Sequence, residues 1–135
     1  MTLQLSTTVR NALLDSVEIA IGASPVMKMM SGPAPADCAT ADSGVVIATL
    51  NLPADWMANA SAGSKALSGT WSDSSADNSG AVGYFRIYAS DGVTCHMQGI
   101  VTATGGGGDL TLDTVTVTSG EPITITGFTL IAPNA

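Results

Sequence analysis

The stretch VGYFRIYASDGVTCHMQG, residues 82–99, decides the reading of the fold. Two runs rich in aromatic and β-branched residues flank Asp91-Gly92, a dipeptide that marks a tight hairpin. Side chains alternate along a strand, so the loop length decides which residues share a face. A two-residue loop puts Phe85 and Ile87 on the opposite face from Cys95 and Met97. A three-residue loop, Ser90 to Gly92 with Gly92 left-handed, pairs Ile87 with Cys95 and Phe85 with Met97 on one face, and this register is preferred. Tyr84, Arg86 and Tyr88 then share the other face with His96 and Gln98. A face that is polar and aromatic together serves equally as a binding surface or as a sheet face covered by a loop.

Outward from this hairpin, the chain after Pro25 is β in type. Short runs rich in Val, Ile, Thr and aromatics fall at residues 26–30, 45–52, 66–72, 82–89, 94–101, 109–112, 114–118 and 122–131. Gly, Pro, Ser and Asp clusters separate them at residues 31–35, 73–80, 91–92, 105–108 and 119–120. Only one segment before them has a helical period. Ser6 and Thr7 can cap it, Val9, Leu13, Val17 and Ile21 recur every fourth residue, and Gly22 can close it, so a helix is expected from Thr7 to Ile21. Arg10, Asn11, Asp15 and Glu18 lie away from that stripe, and the helix is expected to pack on its own domain rather than serve as a docking arm. One helix followed by about eight short strands predicts a mainly β fold, an antiparallel β-sandwich or jelly roll, in a single domain over residues 1–135.

Alternation assigns further faces. Val46, Ala48, Leu50 and Leu52 should point inward, with Thr49 and Asn51 outward. Ile123 and Ile125 alternate with Thr124 and Thr126. Phe128 and Leu130 keep facing the core only if one extra residue is inserted, which predicts a bulge at or beside Gly127.

Charge narrows the range of partners. Four basic residues, Arg10, Lys28, Lys65 and Arg86, are scattered among eleven acids in 135 residues, a balance that cannot neutralise a run of phosphates. Neither nucleic acid nor an anionic membrane is an expected partner. The most apolar stretch near the start, residues 12–21, is interrupted by Asp15 and Glu18, so neither signal peptide nor transmembrane span is expected, and the chain should fold in a cytoplasm. In that compartment Cys38 and Cys95 are expected to be free thiols.

Few residues could carry catalysis. His96 is the only histidine, and Cys95 beside it points to the opposite face of a strand, so the two do not form a nucleophile–base pair. Cys38, Cys95 and His96 lack the spacing of a zinc site. Asp73, Ser75 and Asp77 mimic the start of a calcium loop, but the twelfth position is Tyr84 rather than Glu. Gly105 to Gly108 are not followed by the Lys and Ser or Thr of a phosphate-binding loop, and read as a flexible hairpin connection. The acids sit mostly in turns, where Asp supports local backbone bonds. Trp56 and Trp71 are expected to be buried anchors rather than sugar platforms. No catalytic, metal or cofactor site is expected, and the chain is read as a non-enzyme.

The phrases LSTTVRNALLDSVEIAIG, LNLPADWM, GTWSD, YFRIYASDGVTCHMQG, TATGGGGDLTLD and GEPITITGFTLIAPNA together resemble a family of small virion proteins of tailed phages and prophages, over nearly the whole chain. In size and β content that family resembles the jelly-roll cement, or decoration, proteins that coat capsids. The resemblance implies a structural protein of the capsid surface, assembled in the host cytoplasm, with the major capsid protein and its own copies, as homo-dimer or homo-trimer, as partners. It implies no catalytic or cofactor residues. Chain ends can extend to neighbours, so Thr2, Leu3, Leu5, Arg10, Phe128, Ile131 and Pro133 are the expected contacts, with Tyr84, Arg86 and Tyr88 on the polar–aromatic face. The alternative is a tail or virion-surface module that holds a receptor or glycan through Trp56, Tyr84 and Tyr88.

Overall fold

The computed structural model describes residues 2–135. Helix α1 spans Thr7–Ile21: the Ser6 hydroxyl accepts from the Val9 N–H at 3.2 Å, and Gly22 ends it with φ +89° while its N–H reaches the Glu18 carbonyl at 2.9 Å. The helix is rotated from the orientation its apolar stripe predicts. Leu14 and Ile21 are buried, whereas Val9 and Leu13 are 45% and 47% exposed. A four-residue repeat drifts about 40° per step on a 3.6-residue helix, so Val9 and Ile21 cannot face one partner together. Polar contacts settle the rotation, and they come from Arg10, Asn11, Asp15 and Glu18.

Ten strands follow among the described residues: β1 Val26–Ser31, β2 Val46–Asn51, β3 Ser64–Ala66, β4 Trp71–Asp73, β5 Gly80–Tyr88, β6 Cys95–Ala103, β7 Leu110–Leu112, β8 Thr116–Val117, β9 Ile123–Ile125 and β10 Thr129–Ile131. The main sheet runs β2-β1-β5-β6-β7, with β8 paired to the start of β5. Two small ladders, β3–β10 and β4–β9, complete the fold. The fold is therefore mainly β with one N-terminal helix. The main sheet is mixed rather than wholly antiparallel, because β6 and β7 run parallel, Val101 beside Leu110.

That parallel pair accounts for the glycine run. A parallel connection ordinarily needs a dozen or more residues, yet residues 104–109 make it here. Gly105 and Gly107 take left-handed φ values of +88° and +79°. A Cβ on Gly108 would lie 2.9 Å from both the Ile100 carbonyl oxygen and the Thr102 nitrogen. The chain thus folds back on the end of β6 and runs forward again, and the expected flexible hairpin is a tight reversal.

The central hairpin forms with a corrected register. Ile87 pairs with Met97 and Tyr88 with Cys95, leaving His96 as a bulge in β6. The loop is longer than three residues: Ala89 N–H donates to the Thr94 carbonyl at 2.9 Å, enclosing a turn with Gly92 at φ +69°. Asp91 holds it by accepting from the Val93 and Thr94 N–H groups at 2.8 and 2.9 Å. Phe85 and Ile87 still face the core with Met97 packed against it, but the bulge moves Cys95 to the second face and leaves His96 exposed.

Two further expectations change in form. In β2, a register shift opposite Met29 and Met30 turns Ile47 into the core and leaves Val46 half-buried, while Ala48, Leu50 and Leu52 point inward as expected. The single strand expected at residues 66–72 is broken near Gly69, which lies at φ +70° against Pro53. Four residues, 67–70, lie opposite three, 126–128, between the two small ladders. The change of phase around Gly127 is real, and it is a break between ladders rather than a bulge within one.

The core lies between the main sheet and the small ladders. Trp56, Trp71, Phe128 and Phe85 form a chain of rings with centroids 5.8, 5.5 and 5.6 Å apart. The two indoles are anchored: Trp56 Nε1–H donates to the Gly22 carbonyl and Trp71 Nε1–H to the Trp56 carbonyl, each at 3.1 Å.

Candidate interaction surface

The residues expected as contacts fall into three places. Tyr84, Arg86 and Tyr88 are buried at 0, 2 and 4% exposure beneath residues 32–44, a strap crossing the outer face of β5. Tyr84 O–H donates to the Ser43 carbonyl, and Tyr88 O–H donates to Asp42 Oδ2 at 3.0 Å. Arg86 Nη2 donates to the Asp37 and Thr40 carbonyls at 2.9 and 2.8 Å, and Gln98 Nε2 to the Pro35 carbonyl at 2.8 Å. Of the two readings of this face, a loop covers it. Burial, reinforced by Asp42 and opposed by Arg86, pushes the Tyr88 hydroxyl up to about 12.

Phe128 is in the core. The others meet where the chain ends lie side by side. Leu5 N–H donates to the Asn134 carbonyl at 2.8 Å. Arg10 Nη2 and Nε both donate to the Ala132 carbonyl, at 2.9 and 3.3 Å, clipping the first turns of α1 to the C-terminal segment. Gly63, at φ +76°, lets the guanidinium pack closely, for a Cβ there would sit 2.4 Å from Arg10 Cζ. Around this clip Thr2 and Pro133 are exposed, Leu5 is half-buried, and Leu3 and Ile131 are 71% and 75% exposed.

The helix extends this surface, and two of its exposed residues, Val9 and Leu13, belong to the stripe expected to face inward. Val9, Leu13 and Ile19 are exposed, and Ala12, Ser16 and Ala20 lie among them. Every charged side chain of α1 is turned to the body instead. Lys65, itself 1% exposed, meets Asp15 Oδ1 at 2.7 Å and Glu18 Oε2 at 2.8 Å. Burial alone lowers the Lys65 pKa, but hydrogen bonds to the two carboxylates outweigh it and hold the ammonium above its ordinary value. The Lys65 and Ala60 hydrogen bonds hold Asp15 below the usual carboxylate range. The outer helix face is left uncharged, with Ser16 among its apolar side chains.

Residues weighed for calcium binding or sugar stacking have local roles. Asp73 Oδ2 accepts from the Thr49 N–H at 3.0 Å and Asp77 Oδ2 from the Thr49 hydroxyl at 2.8 Å, tying the loop after β4 to β2. Trp56 and Trp71 are buried anchors. Comparison with protein-family models, with curated proteins and with solved structures returns no match to this chain.

Proposed function

We propose that the chain is a non-enzymatic structural protein of a tailed-phage virion, a cement or decoration protein that bridges and stabilises major capsid subunits. One observation carries this reading: α1 turns Arg10, Asp15 and Glu18 into the body and leaves Val9, Leu13 and Ile19 on the outside, beside the paired chain ends. An uncharged apolar face can be covered by another protein without desolvating ions. The sequence phrases that resemble small virion proteins supply the partner, and the likeness of that family, in size and β content, to jelly-roll cement proteins belongs to the same proposal. Copies acting as a homo-dimer or homo-trimer on the capsid surface would combine modest contacts, since engaging one raises the effective concentration for the next.

Capsid heads assembled with and without the protein test this role. Heads lacking it should rupture at lower temperature and at higher residual salt than complete heads; equal resistance would refute the cement role. The alternative, a receptor- or glycan-binding module, requires an exposed ring face for stacking, and Trp56, Tyr84 and Tyr88 are all at or below 4% exposure.

A further inference from the structure

The strap over β5 and β6 carries Cys38 between two anchored carbonyls. Arg86 Nη2 binds the Asp37 carbonyl on one side and the Thr40 carbonyl on the other, which fixes residue 38 above the sheet. Cys95 reaches the same face from β6, because the bulge at His96 sets it opposite Tyr88 rather than in the core. Both thiols are half-buried, and both line one cavity of about 330 Å³ beside Tyr88 and Val93.

We propose that Cys38 and Cys95 form a redox pair that closes into an intramolecular disulfide and fastens the strap to the sheet. Cys38 lies in a turn outside any ladder, so it can make the adjustment that an S–S bond of about 2.05 Å requires without breaking strand pairing. The oxidant is a disulfide of the glutathione class. The Cys38 thiolate attacks one glutathione sulfur and releases the first glutathione thiolate. Cys95 then loses its proton and attacks the mixed disulfide at Cys38, releasing the second. The protein loses two protons and two electrons, and glutathione disulfide becomes two glutathione thiols. Burial and the neighbouring Cys38 push the Cys95 thiol up to about 11, so Cys38 opens the reaction and Cys95 resolves it. In a reducing cytoplasm the pair stays open. Closure on release of particles from the host rests on the virion reading; the bond itself does not.

The test uses the full chain in oxidised or reduced glutathione buffers, followed by intact mass, non-reducing peptide mapping and thermal denaturation. Oxidation should make the monomer about 2 Da lighter, link the Cys38 and Cys95 peptides, and raise the melting midpoint by about 5–15 °C. Cys38→Ser and Cys95→Ser should each abolish the mass change and the rise. Two titratable thiols persisting in oxidised glutathione, a link only between chains, or a lower midpoint on closure would each overturn the proposal. The reduced and oxidised native chain supplies this comparison even if a serine variant folds poorly.

Discussion

Replacing Lys65 by Met tests whether polar docking fixes the helix. Met retains an unbranched stem of similar length, so packing changes little, while both charge-assisted hydrogen bonds vanish. A hydrogen bond to a charged group contributes about 1.5–3 kcal/mol. Asp15, with 42% of its side chain exposed, rehydrates readily and keeps the Ala60 N–H bond; Glu18, at 22%, is more protected and recovers less of its lost bond from water. The net loss is about 2 kcal/mol, set chiefly by Glu18 and by the space vacated by the ammonium. For a chain of this size about 3–5 °C of melting midpoint corresponds to 1 kcal/mol. Lys65→Met should therefore melt about 6–10 °C lower by circular dichroism, with a matching drop in urea midpoint at unchanged slope. Ile19→Ala, on the outer face of the same helix at 81% exposure, should shift stability by less than about 0.5 kcal/mol. A Lys65→Met chain as stable as the parent, or more so, would refute this docking.

Three other expectations concern titration, backbone and surface. Stability should form a plateau at roughly pH 5–8 and fall on both sides. Asp91 is pushed down to about 2 by its Thr94 hydrogen bonds, and Asp15 and Asp37 are also lowered, so their contribution is present above their ordinary value of 3.8 and lost as pH falls. Cys95, raised from 9.0 to about 11, and Tyr88, raised from 10.0 to about 12, contribute fully below their ordinary values and lose that contribution as pH rises through the raised ones. Tyr88→Phe should flatten the alkaline limb between pH 10 and 12 in thermal melts; an unchanged limb would count against the strap contacts. Gly108→Ala, which drives a Cβ to 2.9 Å from backbone atoms of β6, should cost about 1–3 kcal/mol, whereas Gly127→Ala, with open space around it, should cost under about 0.5 kcal/mol. Leu13→Asp should leave the melting midpoint within about 2 °C while weakening attachment to capsids about 5–30-fold, read by co-sedimentation; undiminished attachment at an unchanged midpoint would exclude the helix face from the contact.

The hairpin around Asp91-Gly92, the helix limits and the buried tryptophans were legible because each rests on a local signal: a turn dipeptide, a cap and a ring too large to leave exposed. Burial of Tyr84, Arg86 and Tyr88 was not legible, since alternation separates two sheet faces but does not say what covers the second one. The strap that covers them is a loop held by carbonyl oxygens, which every residue possesses. The bulge at His96 escaped for a related reason: Cys95 fits either face, and the decision depends on how β6 meets β5 three residues further along. The rotation of α1 went unread because Lys65, fifty residues away from Asp15, supplies the charge that draws the polar face inward. The glycine run of residues 105–108 signalled an unusual turn but not that a parallel strand follows it.

In the proposed cement role, the face formed by α1 and the paired chain ends is where the protein meets a capsid shell. An electron-microscopic reconstruction of particles carrying the protein tests it most directly. Density is expected at symmetric positions on the head lattice, oriented with Leu3, Val9, Leu13 and Ile131 against the major capsid protein or a second copy. Density on the tail, or copies seated on the head with this face turned to solvent, would contradict it.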